Sequence, residues 1–328
     1  MFFDAGRNLP ATQIHLVSTL MADLPIPVIY NPVANQGKAS SIAQLLQSQD
    51  HSDARLRWQA TQAPEDIGRM TAAAAAEGCE KIIILGGDGT VHAAVDALMR
   101  LPAEKRPVLG IIPAGSGNDF AFSSGLSTDP LQAMQDALLG SARPIDVGEI
   151  QTDTGIDRFW VNTTGIGFDS IVVYRAQSVH IVRGFLIYLI AAIQTLVLNN
   201  APMPMHIQRD GAVSDEDLHF IVFCNGKREG GGFLMSPLAE LDDGLLDYLA
   251  IRQMFPLKML YGLPMVLVGK SARLKESLIG RFRRMEVHSP TGMVIHVDGD
   301  MISDLNSPIH AVTVQIIPQA FRLASRAG

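Results

Sequence analysis

Hydrophobic and polar positions alternate regularly through the first half of the chain. The mostly apolar runs at residues 81–85 and 108–112 are typical of buried strands, and each is followed by a glycine-rich turn. The patterns at residues 38–49 and 63–77 predict helices between such strands. Strands that alternate with helices predict a parallel sheet with helices on both faces, and therefore a doubly wound α/β domain over residues 21–145.

The pattern changes after about residue 146 to short β-prone runs separated by turn residues. These runs are residues 159–162, 205–208, 218–224, 245–251, 284–288, 293–297 and 312–317. They predict a mostly antiparallel second domain over residues 146–314, with an inserted helical stretch near residues 180–200. The segment from about 315 to 328 is able to pack back on the first domain. Residues 1–20 form an N-terminal extension whose order the sequence leaves open.

Two longer apolar runs interrupt the second half of the chain, at residues 184–198 and 254–268. The first run has 15 residues and would form a helix about 22 Å long. A membrane-spanning helix needs about 20 residues, so these runs are poor transmembrane candidates. Two interpretations stay open for both of them: a helix buried in the core, or an interfacial helix beside a lipid-binding cleft.

Composition narrows the class of protein. The 328 residues include 26 basic and 33 acidic side chains, and the resulting net charge of −7 argues against a nucleic-acid partner. Apolar residues make up 47% of the chain, enough for a large core, which excludes a disordered protein. Cys79 and Cys224 are the only cysteines, which excludes a disulfide scaffold and suits a reducing compartment. No secretory signal is visible at the N-terminus, so we expect a cytoplasmic protein.

Three glycine-rich turns follow predicted strands. They are Gly86-Gly87-Asp88-Gly89-Thr90, Gly115-Ser116-Gly117-Asn118-Asp119 and the stretch that ends in Gly37-Lys38. In an open parallel sheet such turns lie at the carboxyl ends of the strands, where ligands bind. Glycine also lets backbone N–H groups converge on an anion. Phosphate binding is therefore the favoured interpretation, and ordinary tight turns are the alternative.

The two best-known phosphate-binding motifs do not match these turns. A P-loop would need a glycine and a Ser or Thr where Pro32 and Ala39 stand, and a dinucleotide fingerprint would need a glycine where Phe120 stands. Asp88 is informative, because an acid among backbone amides would compete with a phosphate for the same donors. Its presence makes sense if it holds Mg²⁺ or orients a nucleotide, and the Thr90 hydroxyl can add a contact to a phosphate oxygen.

Several further motifs occur in a fixed order between residues 25 and 325. They are Asn31-Pro32 with Gly37-Lys38, GGDGT at 86–90, PAGSGNDF at 113–120, GIGFD at 165–169, Asn225 with GGG at 230–232, PLA at 237–239, DGLLD at 243–247 and VDGD at 297–300. GGDGT alone also occurs in NAD kinases, but the ordered set is highly specific. It resembles the diacylglycerol kinase catalytic family, which includes bacterial soluble lipid kinases and sphingosine kinases.

The resemblance implies an α/β plus β architecture. A nucleotide-binding domain like that of NAD kinase and phosphofructokinase precedes a β-sandwich domain that takes the lipid, and ATP lies in the cleft between them. The family's nucleotide contacts correspond to Asn31, Thr61, Gly86, Gly87, Asp88, Gly89, Thr90 and Ser116. Its Mg²⁺ corresponds to the Asp243 side chain and the backbone carbonyls of Glu240 and Leu245.

Two departures from the family pattern concern the chemistry. The family usually has Asn and Glu at the second and third positions after GGDGT, where this chain has His92 and Ala93. The family's Asp-Gly-Glu, with its proposed general base, corresponds to Asp298-Gly299-Asp300, whose last acid is shorter by one methylene. We therefore expect Asp298 to be the base, with Asp300 as a metal-binding or orienting partner.

The sequence thus predicts an ATP- and Mg²⁺-dependent lipid kinase that phosphorylates a hydroxyl of diacylglycerol or a related lipid. A peripheral membrane contact is expected, nucleic acid is not, and a homodimer is compatible with the sequence. Two alternatives stay open. One is an NAD-kinase-like enzyme, and the other is a regulatory protein that binds lipid or nucleotide without catalysis, as His92, Ala93 and Asp300 would allow. No spacing in the sequence identifies the lipid.

Overall fold

The computed structural model of the chain describes residues 24–49, 54–178, 185–199 and 201–326, and the statements below concern these residues. The predicted N-terminal extension, residues 1–20, lies outside the described residues.

The first domain is built on four parallel strands in the order β2-β1-β3-β4. The strands are β1 (Ile26–Tyr30), β2 (Leu56–Ala60), β3 (Lys81–Gly86) and β4 (Val108–Pro113). The helices around them are α1 (Lys38–Ser48), α2 (Asp66–Ala76), α3 (Asp88–Met99), α4 (Asp119–Ser123) and α5 (Pro130–Leu139), with a 3₁₀ turn at Ala103–Lys105.

Alternate residues of β3 belong to two different cores. Ile83 packs in a cluster with Ile42 of α1, whereas Ile84 packs in a cluster with Val95 of α3. Because successive side chains of a strand point to opposite faces, helices must cover both sides of this sheet. The doubly wound α/β fold that the sequence predicts is thus confirmed.

The second domain is a sandwich of antiparallel strands. They are β5 (Ser141–Thr152), β6 (Asp157–Trp160), β7 (Thr163–Gly167), β8 (Met203–Arg209), β9 (Ala212–Cys224), β10 (Leu246–Arg252), β11 (Ser277–Phe282), β12 (Arg284–His288), β13 (Ile295–Val297), β14 (Asp300–Met301) and β15 (Ala311–Ser325). Trp160, Phe223 and Phe282 are fully buried between the layers. The rings of Phe223 and Phe282 meet edge to face at 5.6 Å between centroids.

The last strand, β15, joins the two domains. Most of it pairs antiparallel with β5 and β12, but Arg322 and Leu323 pair parallel with β4 of the first domain. The strand bends at Gln319, which has a positive φ of 50° and whose N–H donates to the buried Asp146 carboxylate at 2.7 Å. The C-terminal part of the chain therefore extends the sheet of the first domain.

Helices cover one face of the sandwich beside the domain junction. They are α6 (Phe168–Ala176), α7 (Phe185–Leu198) and α8 (Pro256–Leu267), followed by a 3₁₀ turn at Ser271–Arg273. They enclose an apolar cluster that includes Ala191 and Met259 together with Phe220 of β9. Among the helices described here, none is long and apolar enough to cross a bilayer.

Candidate active site

The turns after β3 and β4 touch each other through their glycines. A Cβ atom on Gly87 would lie 2.8 Å from the Cα of Gly115, and one on Gly115 would lie 2.5 Å from the Cα of Gly87. No side chain fits at either position without moving backbone. The contact brings two stretches of main chain together at the carboxyl edge of the sheet, beside the N-terminus of α3.

A cleft of about 520 Å³, with several acids in its lining, opens between these turns and the second domain. Eight of the predicted site residues line it: Asn31, Gly87, Asp88, Gly89, Thr90, Ser116, Asp298 and Asp300. Two others, Gly86 and Thr61, do not line it. Gly86 is covered by the Thr90 side chain, and Thr61 is buried with its N–H donating to the Tyr30 carbonyl at 2.9 Å. The metal-site residues predicted around Asp243 do not line the cleft.

Asp88 lies in the wall of the cleft with few partners for its charge. Its Oδ1 accepts a hydrogen bond from the Phe120 N–H at 3.1 Å. Burial, helped by the neighbouring Asp119, raises the pKa of Asp88 to about 6. A carboxylate whose ionised form is this poorly compensated is one that a cation would stabilise.

Asp119 and Arg228 hold the two domains together at the edge of the cleft. Arg228 Nε donates to Asp119 Oδ1 at 2.6 Å, and its Nη2 donates to the Gly117 carbonyl at 2.7 Å. The other oxygen of Asp119 accepts the Gly231 N–H at 2.9 Å. Burial raises the pKa of Asp119 in spite of these donors. The guanidinium also lies 4.2 Å from the ring centre of Phe122.

The Asp298 carboxylate is saturated by hydrogen-bond donors. It accepts the N–H groups of Val161, Asn162 and Thr163 at 2.8–3.0 Å, and it lies 3.0 Å from His92 Nδ1. The residue has a positive φ of 47° in the turn between β13 and β14. These four contacts occupy both oxygens of the carboxylate from the protein side. This geometry favours a structural role for Asp298 over the base role expected for it from the sequence.

His92 connects this turn to α3. Its Nε2 lies 3.9 Å from Asp300 Oδ2, on the opposite side of the ring from Asp298. Burial acts to lower the pKa of His92, but its hydrogen bond to Asp298 and the nearby acids outweigh that effect, so the pKa is raised. Asp300 itself is exposed, with 72% of its side chain accessible, and is open to a ligand in the cleft. His92, which stands where the family usually has Asn, therefore contacts both acids of the Asp298–Asp300 turn and holds the turn against α3.

The predicted magnesium site at Asp243 is engaged by protein groups. One oxygen of Asp243 accepts the Leu245 N–H at 3.0 Å, and the other lies 3.2 Å from Arg281 Nη1. Arg281 also donates to the Leu238 carbonyl at 3.2 Å and lies 3.5 Å from Asp247. The Asp243 carboxylate is thus already paired with a guanidinium and a backbone N–H, so its side chain is not free to bind Mg²⁺ in this arrangement. We derive no chemistry from a metal at this position.

The cleft fits a divalent cation better. Five acids line it, namely Asp88, Asp119, Glu229, Asp298 and Asp300. Arg228 is already paired with one of them, so a bound triphosphate would meet mainly negative charge. Among the described residues no preformed three-ligand cluster includes Asp88. That agrees with the way Mg²⁺ is often held, by one or two carboxylates together with phosphate oxygens and water.

A small apolar cavity of about 70 Å³ lies next to the cleft, among α6, α7 and α8. Its lining includes Phe168, Val172, Ala192, Leu196, Phe220, Phe233, Met254, Met259, Gly262, Leu263 and Val266. Tyr188, Glu229 and Gly230 line both the cleft and this cavity, so the two spaces meet at these residues. The sequence left two interpretations for residues 184–198 and 254–268, a buried core helix or a helix beside a lipid-binding cleft. Both runs form helices that line this apolar cavity, so the two interpretations agree here.

Three polar residues, the buried Asp169 and His296 and the half-buried Glu229, cluster at this junction. Asp169 Oδ2 lies 2.8 Å and Glu229 Oε1 lies 3.4 Å from His296 Nε2. Burial and the charge of Asp169 raise the pKa of Glu229 to about 8. Sequence reasoning missed Glu229 and His296, although Glu229 directly precedes the GGG motif and His296 stands two residues before Asp298. No spacing signal marks either residue.

Comparison with known proteins agrees with this architecture. Residues 25–150 match the model of the diacylglycerol kinase catalytic domain, and residues 162–325 match that of the YegS C-terminal NAD kinase beta sandwich-like domain. A diacylglycerol kinase of Mycobacterium tuberculosis is 33% identical over 296 residues, which cover 88% of this chain and 92% of that protein.

Two further similarities extend the comparison. A protein of Chromohalobacter salexigens named "Probable lipid kinase YegS-like" is 30% identical over 220 residues, covering 66% of this chain and 67% of its own length. The crystal structure of a diacylglycerol kinase from Bacillus anthracis superposes with a TM-score of 0.68 at 19% identity, covering 92% of this chain and 97% of that one. The fold and the sequence matches together show that this chain belongs to the diacylglycerol kinase catalytic-domain family of lipid kinases.

Proposed function

We propose that this chain transfers the γ-phosphate of ATP to a hydroxyl group of diacylglycerol or a closely related lipid. The observation that carries the proposal is the contact between the Gly87 and Gly115 turns beside Asp88, in a cleft that opens into an apolar cavity. A polar space for phosphates and an apolar space for an acyl chain therefore adjoin. The relatives named diacylglycerol kinase support the choice of lipid.

The first domain would hold the triphosphate mainly with main-chain donors. The two glycine turns bring backbone N–H groups together, and the N-terminus of α3 adds a favourable potential for an anion. The side chains of Asn31, Thr90 and Ser116 line the same space. Because phosphoryl transfer depends chiefly on alignment and charge stabilisation, such rigid donors are suited to it.

Mg²⁺ is the cofactor that we assign to Asp88, whose carboxylate accepts the Phe120 N–H and has a raised pKa. When bound, the ion would neutralise charge on the phosphate oxygens. The excess of acids in the cleft makes this neutralisation necessary for a triphosphate to bind.

Asp300 is the acid that we assign to the lipid hydroxyl proton. It lines the cleft and is exposed to it, whereas the Asp298 carboxylate is occupied by three backbone N–H groups and His92. Asp298 instead fixes the turn and orients His92. A nearby group of this kind typically contributes about 10²–10⁴-fold to a rate.

The lipid side requires movement of α7 or α8. A cavity of about 70 Å³ is smaller than one that holds a benzene ring, about 150 Å³, so an acyl chain needs these helices to part. Their outer faces carry exposed apolar side chains, notably Leu186, Ile193, Val197, Phe255, Leu257, Leu260 and Tyr261. Lys270, Arg273 and Lys275 are exposed nearby. An apolar face flanked by cations suits contact with an anionic bilayer, and we assign peripheral membrane binding to it.

The experiment is transfer of radiolabelled phosphate from ATP to dioctanoylglycerol, with NAD as a second acceptor. We expect Asp88→Asn to lower the rate by about 100-fold or more and Asp300→Asn by roughly 10–100-fold. Asp304→Asn, an exposed acid outside the cleft, is the matched control and is expected to keep full activity. Phosphorylation of NAD but not of the lipid, or ATP binding without transfer to any lipid, would contradict the proposal.

A further inference from the structure

The junction of the cleft and the apolar cavity contains a buried polar group with no function assigned so far. Glu229 Oε2 is inaccessible to solvent and has no hydrogen-bond partner in the structure. The residue lines both spaces. A buried carboxyl oxygen without a partner is unfavourable unless a ligand supplies one, which makes this position a candidate for ligand contact.

Surrounding contacts fix where Glu229 lies. Its N–H donates to the Phe233 carbonyl and its carbonyl accepts the Phe233 N–H, both at 2.9 Å. Next to it, Gly230 has a positive φ of 58°, and a Cβ there would lie 3.2 Å from the ring of Tyr188. Gly231, one residue further, donates to Asp119 in the first domain. The short loop is therefore held between Tyr188 on the lipid side and the nucleotide-binding domain.

His296 and Asp169 form a hydrogen-bond network with Glu229 rather than a metal site. The Gly299 N–H points at His296 Nδ1 at 3.3 Å, so Nε2 is the ring nitrogen whose proton faces the two acids. Nε2 faces Asp169 and Glu229, where a metal shared by the three residues would bind. Because this nitrogen carries a proton, it has no lone pair to offer a metal. Histidine ligands also normally donate their other ring N–H, whereas here that nitrogen accepts.

We propose that Glu229 hydrogen-bonds the uncharged head group of the acceptor lipid at the point where its chain enters the apolar cavity, and that His296 and Asp169 position Glu229 for this contact. This inference rests on the function proposed above and specifies its substrate class as a neutral lipid alcohol. A carboxyl that is protonated at neutral pH can both donate and accept, which matches a hydroxyl or an ester oxygen. Asp169 is already paired with His296, so at the mouth of the apolar cavity it is not free to pair with an ammonium head group.

The test compares steady-state phosphate transfer from ATP to dioctanoylglycerol by the wild type and three variants. Glu229→Leu removes the polar group, and we expect it to raise the KM for the lipid roughly tenfold while the KM for ATP stays unchanged. Glu229→Gln keeps both a donor and an acceptor and is expected to recover most of the lost lipid affinity. Glu286→Leu, on the outer surface of β12, is the control for the substitution itself.

The outcomes separate this inference from the proposed function. A Glu229→Leu enzyme whose lipid KM stays within about twofold of wild type, or whose KM for ATP rises equally, overturns the inference alone. A wild type that prefers sphingosine to dioctanoylglycerol also overturns it. A wild type that phosphorylates no lipid overturns the proposed function and this inference with it. Should Glu229→Leu fail to fold, Glu229→Met, whose side chain has similar length, replaces it with the same expected separation of KM values.

Discussion

The two walls of the cleft differ in the kind of atoms that they offer a ligand. The first-domain wall consists mainly of backbone, brought together by Gly87 and Gly115. The second-domain wall consists of side chains, with Glu229 and Tyr188 at the entrance to an apolar cavity. Backbone donors suit a group that every substrate shares, the triphosphate, whereas side chains suit a group that distinguishes one lipid from another.

The walls also differ in the sequence separation of the residues that form them. A single strand-turn-helix unit positions the donors of residues 86–90, and a second unit repeats the arrangement at residues 115–119. The second wall depends on contacts such as that of Glu229 with His296, which are 67 positions apart. The first wall is therefore rigid by local geometry, and the second depends on the packing of the whole sandwich.

Among changes that separate the two walls, the largest effect is expected from disrupting the contact between the glycine turns. Gly87→Ala would force its Cβ to within 2.8 Å of Gly115 and displace the turn, so we expect phosphate transfer to fall about 100-fold. Gly89→Ala is the matched control, since a Cβ there meets nothing within 4 Å and its loss should be far smaller. Equal activity of the two variants would show that the contact between the turns is not needed.

A smaller effect is expected from filling the apolar cavity. Gly262 of α8 lines it, and a leucine there would occupy the space of a lipid chain. We expect Gly262→Leu to lower kcat/KM for diacylglycerol at least about tenfold without changing the KM for ATP. Gly262→Ala adds a methyl group at an ordinary contact distance, 3.4 Å from Leu274, and serves as the control. A parallel loss of ATP affinity would mean that the two walls are not separate.

The outer faces of the helices should affect membrane binding but not chemistry. Phe255 and Leu257 are 84% and 80% exposed, so changing both to serine should leave the fold intact. We expect binding to anionic vesicles to weaken about fivefold, with unchanged activity on a water-soluble short-chain lipid. Leu139→Ser, at an equally exposed leucine of the first domain, is the control for vesicle sedimentation. Equal binding by all three proteins would place the membrane contact elsewhere.

The smallest effect concerns the pH dependence of stability. Because the pKa of Glu229 is raised from 4.5 to about 8, the folded chain holds a proton that the unfolded chain releases in this range. Stability should therefore fall as the pH rises from about 4.5 to 8, and the raised pKa of His296, about 9, acts in the same direction from about 6.5 upward. We expect the drop in Tm between pH 5 and pH 8 to be smaller in Glu229→Gln than in the wild type, by on the order of 2 °C. Parallel curves for the two proteins would contradict the shift.

Much of the first wall could be predicted from sequence because its signals are local. The helix predicted over residues 63–77 is α2 (Asp66–Ala76), and the strand predicted over residues 108–112 is β4 (Val108–Pro113). Glycines after apolar strands identified both turns. The sequence did not show that the glycines of neighbouring turns touch, because that depends on how far the strands twist.

The second wall escaped sequence reasoning for a physical reason. The strand β7 (Thr163–Gly167) has two glycines and no strong β signal, and it exists because β9 and β13 pair with it on both sides. The saturation of Asp298 by backbone N–H groups arises across about 135 positions of sequence. Motif resemblance identified the turn as important, but the contacts on which we propose different roles for Asp298 and Asp300 are tertiary.

The most direct test of the two-wall account is to titrate both ligands into the same two variants. Calorimetry would measure Mg²⁺ with a non-hydrolysable ATP analogue, and separately dioctanoylglycerol, against Gly87→Ala and Gly262→Leu. We expect Gly87→Ala to lose the nucleotide and keep the lipid, and Gly262→Leu to do the opposite. Loss of both ligands in one variant, or unchanged nucleotide binding by Gly87→Ala, would contradict the claim that the glycine turns grip the triphosphate while the other wall binds the lipid.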